Sequence, residues 1–248
     1  MTGNSAFLLS ALLLASVGIE SRPGEESIAY TVASVKRKLM REVAGASERL
    51  HEGAELESGD LLRTGWLSEA DIAAPARGAM FHLAARTRVR LTHGRAGVLL
   101  EVNRGRLRAV FEALLGADSP QRVVTTPSAI LAVRGTEYGV SVDAAGHTTV
   151  VVLAGVVEVV DLARRGEAIE LREGFYTTIA PGGQPTAPRA HQLNRRGWDR
   201  GLLPASMRRG PGAAQGGMGS GGAMGKRSRG GRGGGGGGGG GGSMGPAR

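Results

Sequence analysis

The sequence predicts an all-β fold: a twisted β-roll or sandwich, or a short solenoid of strand–Gly turn–strand units, with a disordered Gly-rich C-terminal tail. Three observations predict it. Residues 124–160 are dense in Val and Thr, whose branched side chains pack well on a pleated surface and lose freedom in a helix. Short runs of alternating polarity recur along residues 28–182 with glycines between them, a spacing that fits hairpins and not strand–helix–strand units. From about residue 205 the chain is dominated by Gly, unbroken over residues 233–242, and such a segment has almost nothing to bury and much backbone entropy to lose.

The chain accordingly divides into a signal peptide (residues 1–20), a β domain (28–182), a Pro- and Arg-bearing linker (183–204) and a basic Gly-rich tail (205–248). Residues 6–19, AFLLSALLLASVGI, are apolar and uncharged. They are too short to cross a bilayer, which takes about 20 residues. At an N-terminus they read as a signal-peptide core with Ser16 and Gly18 at the cleavage region, although residues 1–5 hold no Lys or Arg. Alternation begins a strand at residues 30–35, whereas 35–43 suits helix and strand equally by composition. Turn signals at Gly53 and Gly59-Asp60 divide residues 50–64. Residues 70–74, 79–83 and 87–91 alternate, with breaks at Pro75, Gly78 and His93-Gly94, and 98–110 reads as a pair of strands broken at Arg104-Gly105.

A pattern recurs around Gly105, Gly155 and Gly174. Apolar residues stand five and three positions before each Gly and two and five after it: Leu100, Val102, Leu107 and Val110 in the first copy. Gly59 follows the same pattern loosely. The physical unit is strand, tight turn, strand, with alternate side chains facing one core. Residues 181–188, rich in Pro and Gly, end the domain, and residues 189–203, which carry Trp198 among arginines, either dock on it or form a loose amphipathic turn.

Charge and composition exclude several functions. The net charge is +9, but residues from 191 onward hold ten Lys or Arg and one acid, so the preceding 190 residues are balanced. The basicity belongs to the tail and speaks of nonspecific partners. The absence of Cys removes disulfides, thiolate zinc sites and a Cys nucleophile. His51, His82, His93, His147 and His191 show no metal-ligand spacing, and His82, opposite in phase to Phe81 and Leu83, points to solvent. No nucleophile elbow or phosphate-cradling loop occurs, and Glu57, Asp60, Asp71 and Asp143 suit turns. The reading is a non-enzyme with no cofactor and no metal. Carboxylates that meet in space keep a β-solenoid polysaccharide-active enzyme as a further alternative.

In the tail, Arg208, Arg209, Lys226, Arg227, Arg229 and Arg232 are candidates for contact with an anionic envelope surface if the chain is exported. In a cytoplasmic protein the same Arg/Gly tail makes nucleic-acid binding the alternative function, although the tail has no aromatic residue for base stacking.

At the centre of residues 124–160, Thr126-Pro127 leads into Val133-Arg134-Gly135-Thr136-Glu137-Tyr138, and a Leu-Ala-Gly155-Val-Val strand pair follows. This order resembles the FecR-like domain family, over roughly residues 28–182. The resemblance implies an all-β extracytoplasmic module that works in signal transduction by protein binding, in the periplasm or otherwise outside the inner membrane. In the full-length regulators of that family a cytoplasmic segment binds an alternative sigma factor, and a further module contacts an outer-membrane receptor. Here five residues precede the apolar run and the Gly tail follows the domain, so an anti-sigma role is not expected to carry over. An envelope protein partner, unidentified, is expected at exposed edge strands by strand addition. Within the motif the expected roles are structural: Gly135 takes a backbone conformation closed to other residues, Thr126 before Pro127 is held extended, and the Arg134 fork satisfies turn carbonyls or an acid. The other reading of Arg134 is a contact to a ligand carboxylate.

Overall fold

The computed structural model describes residues 28–43, 45–92, 97–113, 122–162, 167–204 and 207. The expected signal peptide, the tail apart from Met207, with all its candidate basic residues, and His93 lie outside the described residues. Among the described residues no helix is long and apolar enough to cross a membrane.

The chain forms β1 (Tyr30–Lys36), β2 (Leu39–Val43), β3 (Ala46–Leu50), β4 (Glu55–Leu56), β5 (Leu61–Thr64), β6 (Glu69–Ala74), β7 (Ala79–Leu83) and β8 (Arg88–Leu91). Then follow β9 (Val98–Phe111), β10 (Arg122–Thr125), β11 (Ala129–Val142), β12 (Thr148–Asp161), β13 (Ile169–Arg172), β14 (Phe175–Ile179), β15 (Arg189–Ala190) and a short helix α1 (Arg195–Asp199). All fifteen strands belong to one hydrogen-bonded sheet.

That sheet folds over on itself because its long strands change partners half-way. The first half of β9 ladders with β8 and, in parallel, with β10; its second half ladders with β7 and β11. β11 and β12 pair with each other along both halves, and β12 takes β14 beside its first half and β13 beside its second. Two layers result. The first layer holds β3, β2, β5, β8, β10, β13 and one half of each long strand; the second holds β4, β1, β6, β7, β14, β15 and the other halves. The alternate residues Leu100, Val102, Leu107 and Ala109 of β9 join one buried core with Val140, Val150 and Val157. Tyr30 of the second layer donates its hydroxyl to the Leu99 carbonyl of the first, so the two layers face each other across that core.

Passing between layers requires a sharp corner, and positive φ supplies it. Gly105 (φ 103°), Gly135 (54°), Gly155 (83°) and Gly174 (81°) turn the chain in the C-terminal half. Three corners of the N-terminal half use larger residues: Arg37 (φ 73°), Leu67 (54°) and Arg86 (57°). The recurrent Gly105, Gly155 and Gly174 of the sequence are thus corners of the roll. Gly59 lies in the turn that brings the chain from β4 back to β5. Residues 35–43, open to helix or strand by composition, are strands on either side of the Arg37 corner, fixed by the ladders of β2 with β3 and β5. Residues 183–204, read from sequence as a linker, carry β15 and α1, and Trp198 there is buried.

At Gly105 a Cβ atom would lie 2.5 Å from the Thr87 Cα, backbone that cannot move aside, whereas Gly174 has open space around it. Gly105→Ala is therefore expected to destabilise the fold by about 2 kcal/mol or more, and Gly174→Ala by about 1 kcal/mol for its left-handed φ alone. Urea unfolding of the two variants checks this, and equal losses would contradict the corner account.

Candidate functional site

The motif from Thr126 to Tyr138 builds the second set of corners. Thr126 closes the turn between β10 and β11: its hydroxyl oxygen accepts the Ala129 amide at 2.9 Å and the Thr148 hydroxyl at 2.9 Å. Ser128 donates to the Gly146 carbonyl at 2.5 Å, tying this turn to the one between β11 and β12. Gly135 and Gly155 are adjacent corners, and a Cβ on Gly155 would stand 3.0 Å from the Gly135 carbonyl oxygen. Thr136 bridges them, its hydroxyl lying 2.7 Å from the Val156 carbonyl and 2.9 Å from the Arg134 carbonyl. Tyr138 is fully buried and its ring stacks on Phe111, with centroids 6.0 Å apart. Burial drives its phenol far above the usual pKa, so it stays protonated as a core side chain.

Arg134 differs from its expected role. Its side chain is exposed and makes no hydrogen bond or ion pair among the described residues. The carbonyls near the corner are served by Arg122, which is 2 % exposed. Arg122 Nη1 donates to Glu112 O at 2.9 Å and Arg77 O at 3.3 Å, and its guanidinium sits 5.2 Å from the Phe111 ring centroid. Burial lowers the pKa of this guanidinium, against the pull of Glu112.

Glu137, next to Tyr138, faces the other way and organises a clasp. On the outer face of the second layer it accepts Arg108 Nη1 at 3.2 Å and a two-pronged contact from Arg195, with Nε at 2.6 Å. Arg108 Nε reaches Asp199 Oδ1 at 2.8 Å. Arg195 and Asp199 belong to α1, whose start is capped by Asn194 Oδ1 accepting the Gly197 amide at 2.8 Å. The clasp lays Trp198 directly on Gly139: a Cβ there would be 2.2 Å from the indole, so only Gly allows the ring to lie flat on the sheet. Trp198 packs with Val151, Tyr176 and Met207 in a second small apolar cluster, with the Arg106 guanidinium 5.9 Å from its ring. His191 pins the approach, its Nε2 donating to Val152 O at 3.0 Å and its Nδ1 accepting the Leu193 amide at 3.0 Å. Burial lowers the His191 pKa, consistent with this neutral tautomer.

Residues 60–158, which include the whole motif and its corners, match the family model described as FecR protein. This stretch is FecR-like. The matched range runs from the start of β5 almost to the end of β12, and β1 to β4 and β13 to β15 extend the same sheet beyond it. No curated protein matches the chain. Two crystal structures, at 2.50 and 1.65 Å resolution, of a candidate anti-sigma factor from Parabacteroides distasonis are similar to it. Each shows 18 % identity and a TM-score of 0.43, covering 53 % of this chain and 60 % of the solved one.

In this FecR-like stretch the motif residues Thr126, Gly135, Thr136, Tyr138 and Gly155 are occupied with turns and core, and Glu137 with the clasp. Sequence reasoning missed Arg108, Arg122 and Asp199, because cross-strand register and not chain proximity brings them to their partners. It also set His82 toward solvent. His82 does lie on the outer face, but its Nδ1 donates to Asp71 Oδ1 at 2.7 Å while Ser34 donates to Asp71 Oδ2 at 2.7 Å. Ser34, Asp71, His82 and Arg108 stand opposite one another on β1, β6, β7 and β9, so one polar row crosses the face and ends at the clasp. Among the described residues no group of His, Asp and Glu is arranged to hold a metal ion.

The hydrogen bond from His82, and then that from Ser34 and the charge of Arg108, hold the Asp71 carboxyl below its usual range, against the opposing effect of burial. A depressed carboxylate contributes stability that is complete above the unfolded value near 4 and is lost as pH falls through the folded value. Wild type should therefore exceed Asp71→Asn in stability at pH 7, and the gap should close below about pH 4. Urea titrations of both proteins at the two pH values measure it; a gap independent of pH would contradict the assignment.

Proposed function

We propose that this chain is a non-catalytic extracytoplasmic module of the bacterial cell envelope that takes part in signalling or assembly by protein contact. The observation that carries the reading is the FecR domain match over residues 60–158, in a fold whose motif residues are engaged in corners, core and clasp. The apolar run at residues 6–19 supports export, with the domain working in the periplasm or otherwise beyond the inner membrane. The partner is a regulatory or envelope protein. Edge strands are the natural contacts: among the described residues β3 ladders only with β2, and four of its five residues are exposed, leaving one side of its backbone open to an added strand. In the tail, Arg208, Arg209, Lys226, Arg227, Arg229 and Arg232 supply a second, weaker contact to anionic envelope components.

Export is the element of this reading open to the simplest test. Residues 1–30 fused to a reporter enzyme active only after export should give activity in cells, and the same fusion to a reporter active only in the cytoplasm should not. The reverse pattern would overturn the extracytoplasmic reading and return the tail to the nucleic-acid alternative.

A further inference from the structure

The outer face of the first layer carries a charge pattern that folding alone does not favour. Arg63 of β5 stands directly opposite Arg88 of β8, and Arg88 directly opposite Arg104 of β9. Adjacent strands are about 4.8 Å apart, and like charges directly opposite each other destabilise a ladder. All three side chains are exposed. Glu42 is the acid that meets them, at 2.7 Å from Arg88 and 3.8 Å from Arg63, while Arg104 has no ion-pair partner among the described residues.

This face ends at the row of corners of the N-terminal half. There the Gly65 amide donates to Lys38 O at 3.1 Å and the Arg86 amide to Gly65 O at 3.1 Å, so three corners lie side by side. Residues 37–38, 65–68 and 84–87 contain Arg37, Lys38 and Arg86 and no acid. Between them Trp66 is 71 % exposed and Leu67 is 51 % exposed. Arg86 lies 5.9 Å from the Trp66 ring centroid. Leu67 and Arg86 both hold positive φ, an unfavourable conformation for bulky residues, and it is kept at an exposed rim.

From this juxtaposition we infer that the arginine-bearing face and its Trp66-Leu67 rim form a docking surface for an anionic lipid bilayer. The two halves require different things of a partner in one plane: fixed anions opposite the arginine row, and hydrocarbon or interfacial depth beside it for an exposed Trp and Leu. A bilayer interface offers both, since Trp settles at the headgroup level, Leu below it, and Lys and Arg against anionic headgroups. Trp66 and Leu67 sit in the turn between β5 and β6, exposed at the edge of this face. At the far end of the face an open depression of about 700 Å³, lined in part by Arg63 and Arg90, has room for a headgroup. The acids in it, Glu42 and Asp60, are already engaged by Arg88 and Arg41. Nucleic acid would satisfy the arginines and leave Leu67 without a seat. This inference goes beyond the protein-contact reading and concerns a different surface.

The test uses the purified full-length chain with phosphatidylcholine vesicles, with and without a phosphatidylglycerol fraction. Co-sedimentation should be at least about tenfold stronger on the anionic vesicles and should weaken with salt. Brominated lipid should quench emission, and Trp66→Phe should remove that quenching, since Trp198 is buried. The triple variant Arg63→Gln, Arg88→Gln, Arg104→Gln should lose at least about tenfold in binding, and Leu67→Ser should bind less tightly, both with unchanged thermal melting. A variant with Gln at positions 208, 209, 226, 227, 229 and 232 should keep the Trp66 quenching. The inference is overturned if the triple variant binds like wild type, if the tail variant abolishes quenching, or if only duplex DNA or an acidic protein competes for the face while vesicles do not bind. None of these outcomes depends on export, so they stand apart from the reporter test.

Discussion

The constraint on which the structure depends is the corner. A sheet that folds over on itself must turn its strands without losing their ladders, and an L-residue resists the positive φ such a turn needs. Gly105, Gly135 and Gly155 meet that need inside single strands, so β9, β11 and β12 each run through both layers without a break in the chain. The core follows from this. Residues on both sides of each glycine alternate toward the same interior, and the second layer is held over the first by the same strands that form it.

The FecR motif then reads as the chemistry of two neighbouring corners. Gly135 and Gly155 nearly touch, Thr136 hydrogen-bonds across them, and Tyr138 anchors the inner side while Glu137 anchors the outer. The same segment thus sets both the core and the docking of α1. β3 and the arginine row of the first layer stay exposed. Arg134, though part of the motif, is exposed, while the buried Arg122 donates to the Glu112 and Arg77 carbonyls.

The corners at Gly105, Gly155 and Gly174 were legible in the sequence because Gly is the residue that takes positive φ at little cost and apolar pairs flank each of the three at fixed spacing, while Gly135 was legible through its Arg-Gly-Thr motif. The corners at Arg37, Leu67 and Arg86 were not, because nothing in a Lys-Arg-Lys or Trp-Leu-Ser string announces a left-handed residue. For residues 35–43 local composition was neutral and only the ladders with β3 and β5 decided for strand. Trp198 could be marked as apolar among arginines, yet its seat on Gly139 depends on a glycine whose own φ is ordinary and whose role is to be flat. The Asp71–His82 pair, the Arg108 clasp and the arginine row all arise from cross-strand register, which a single sequence does not display.

The central claim is that the corners make the two layers one cooperative structure and not two sheets joined by loops. Native-state hydrogen exchange measures this directly, by comparing amides before and after Gly135 and Gly155, such as Leu131 with Val140 and Val150 with Val159. The account predicts that buried amides of both layers open with the same free energy, near that of global unfolding. Exchange of one layer at a clearly lower free energy than the other would contradict it.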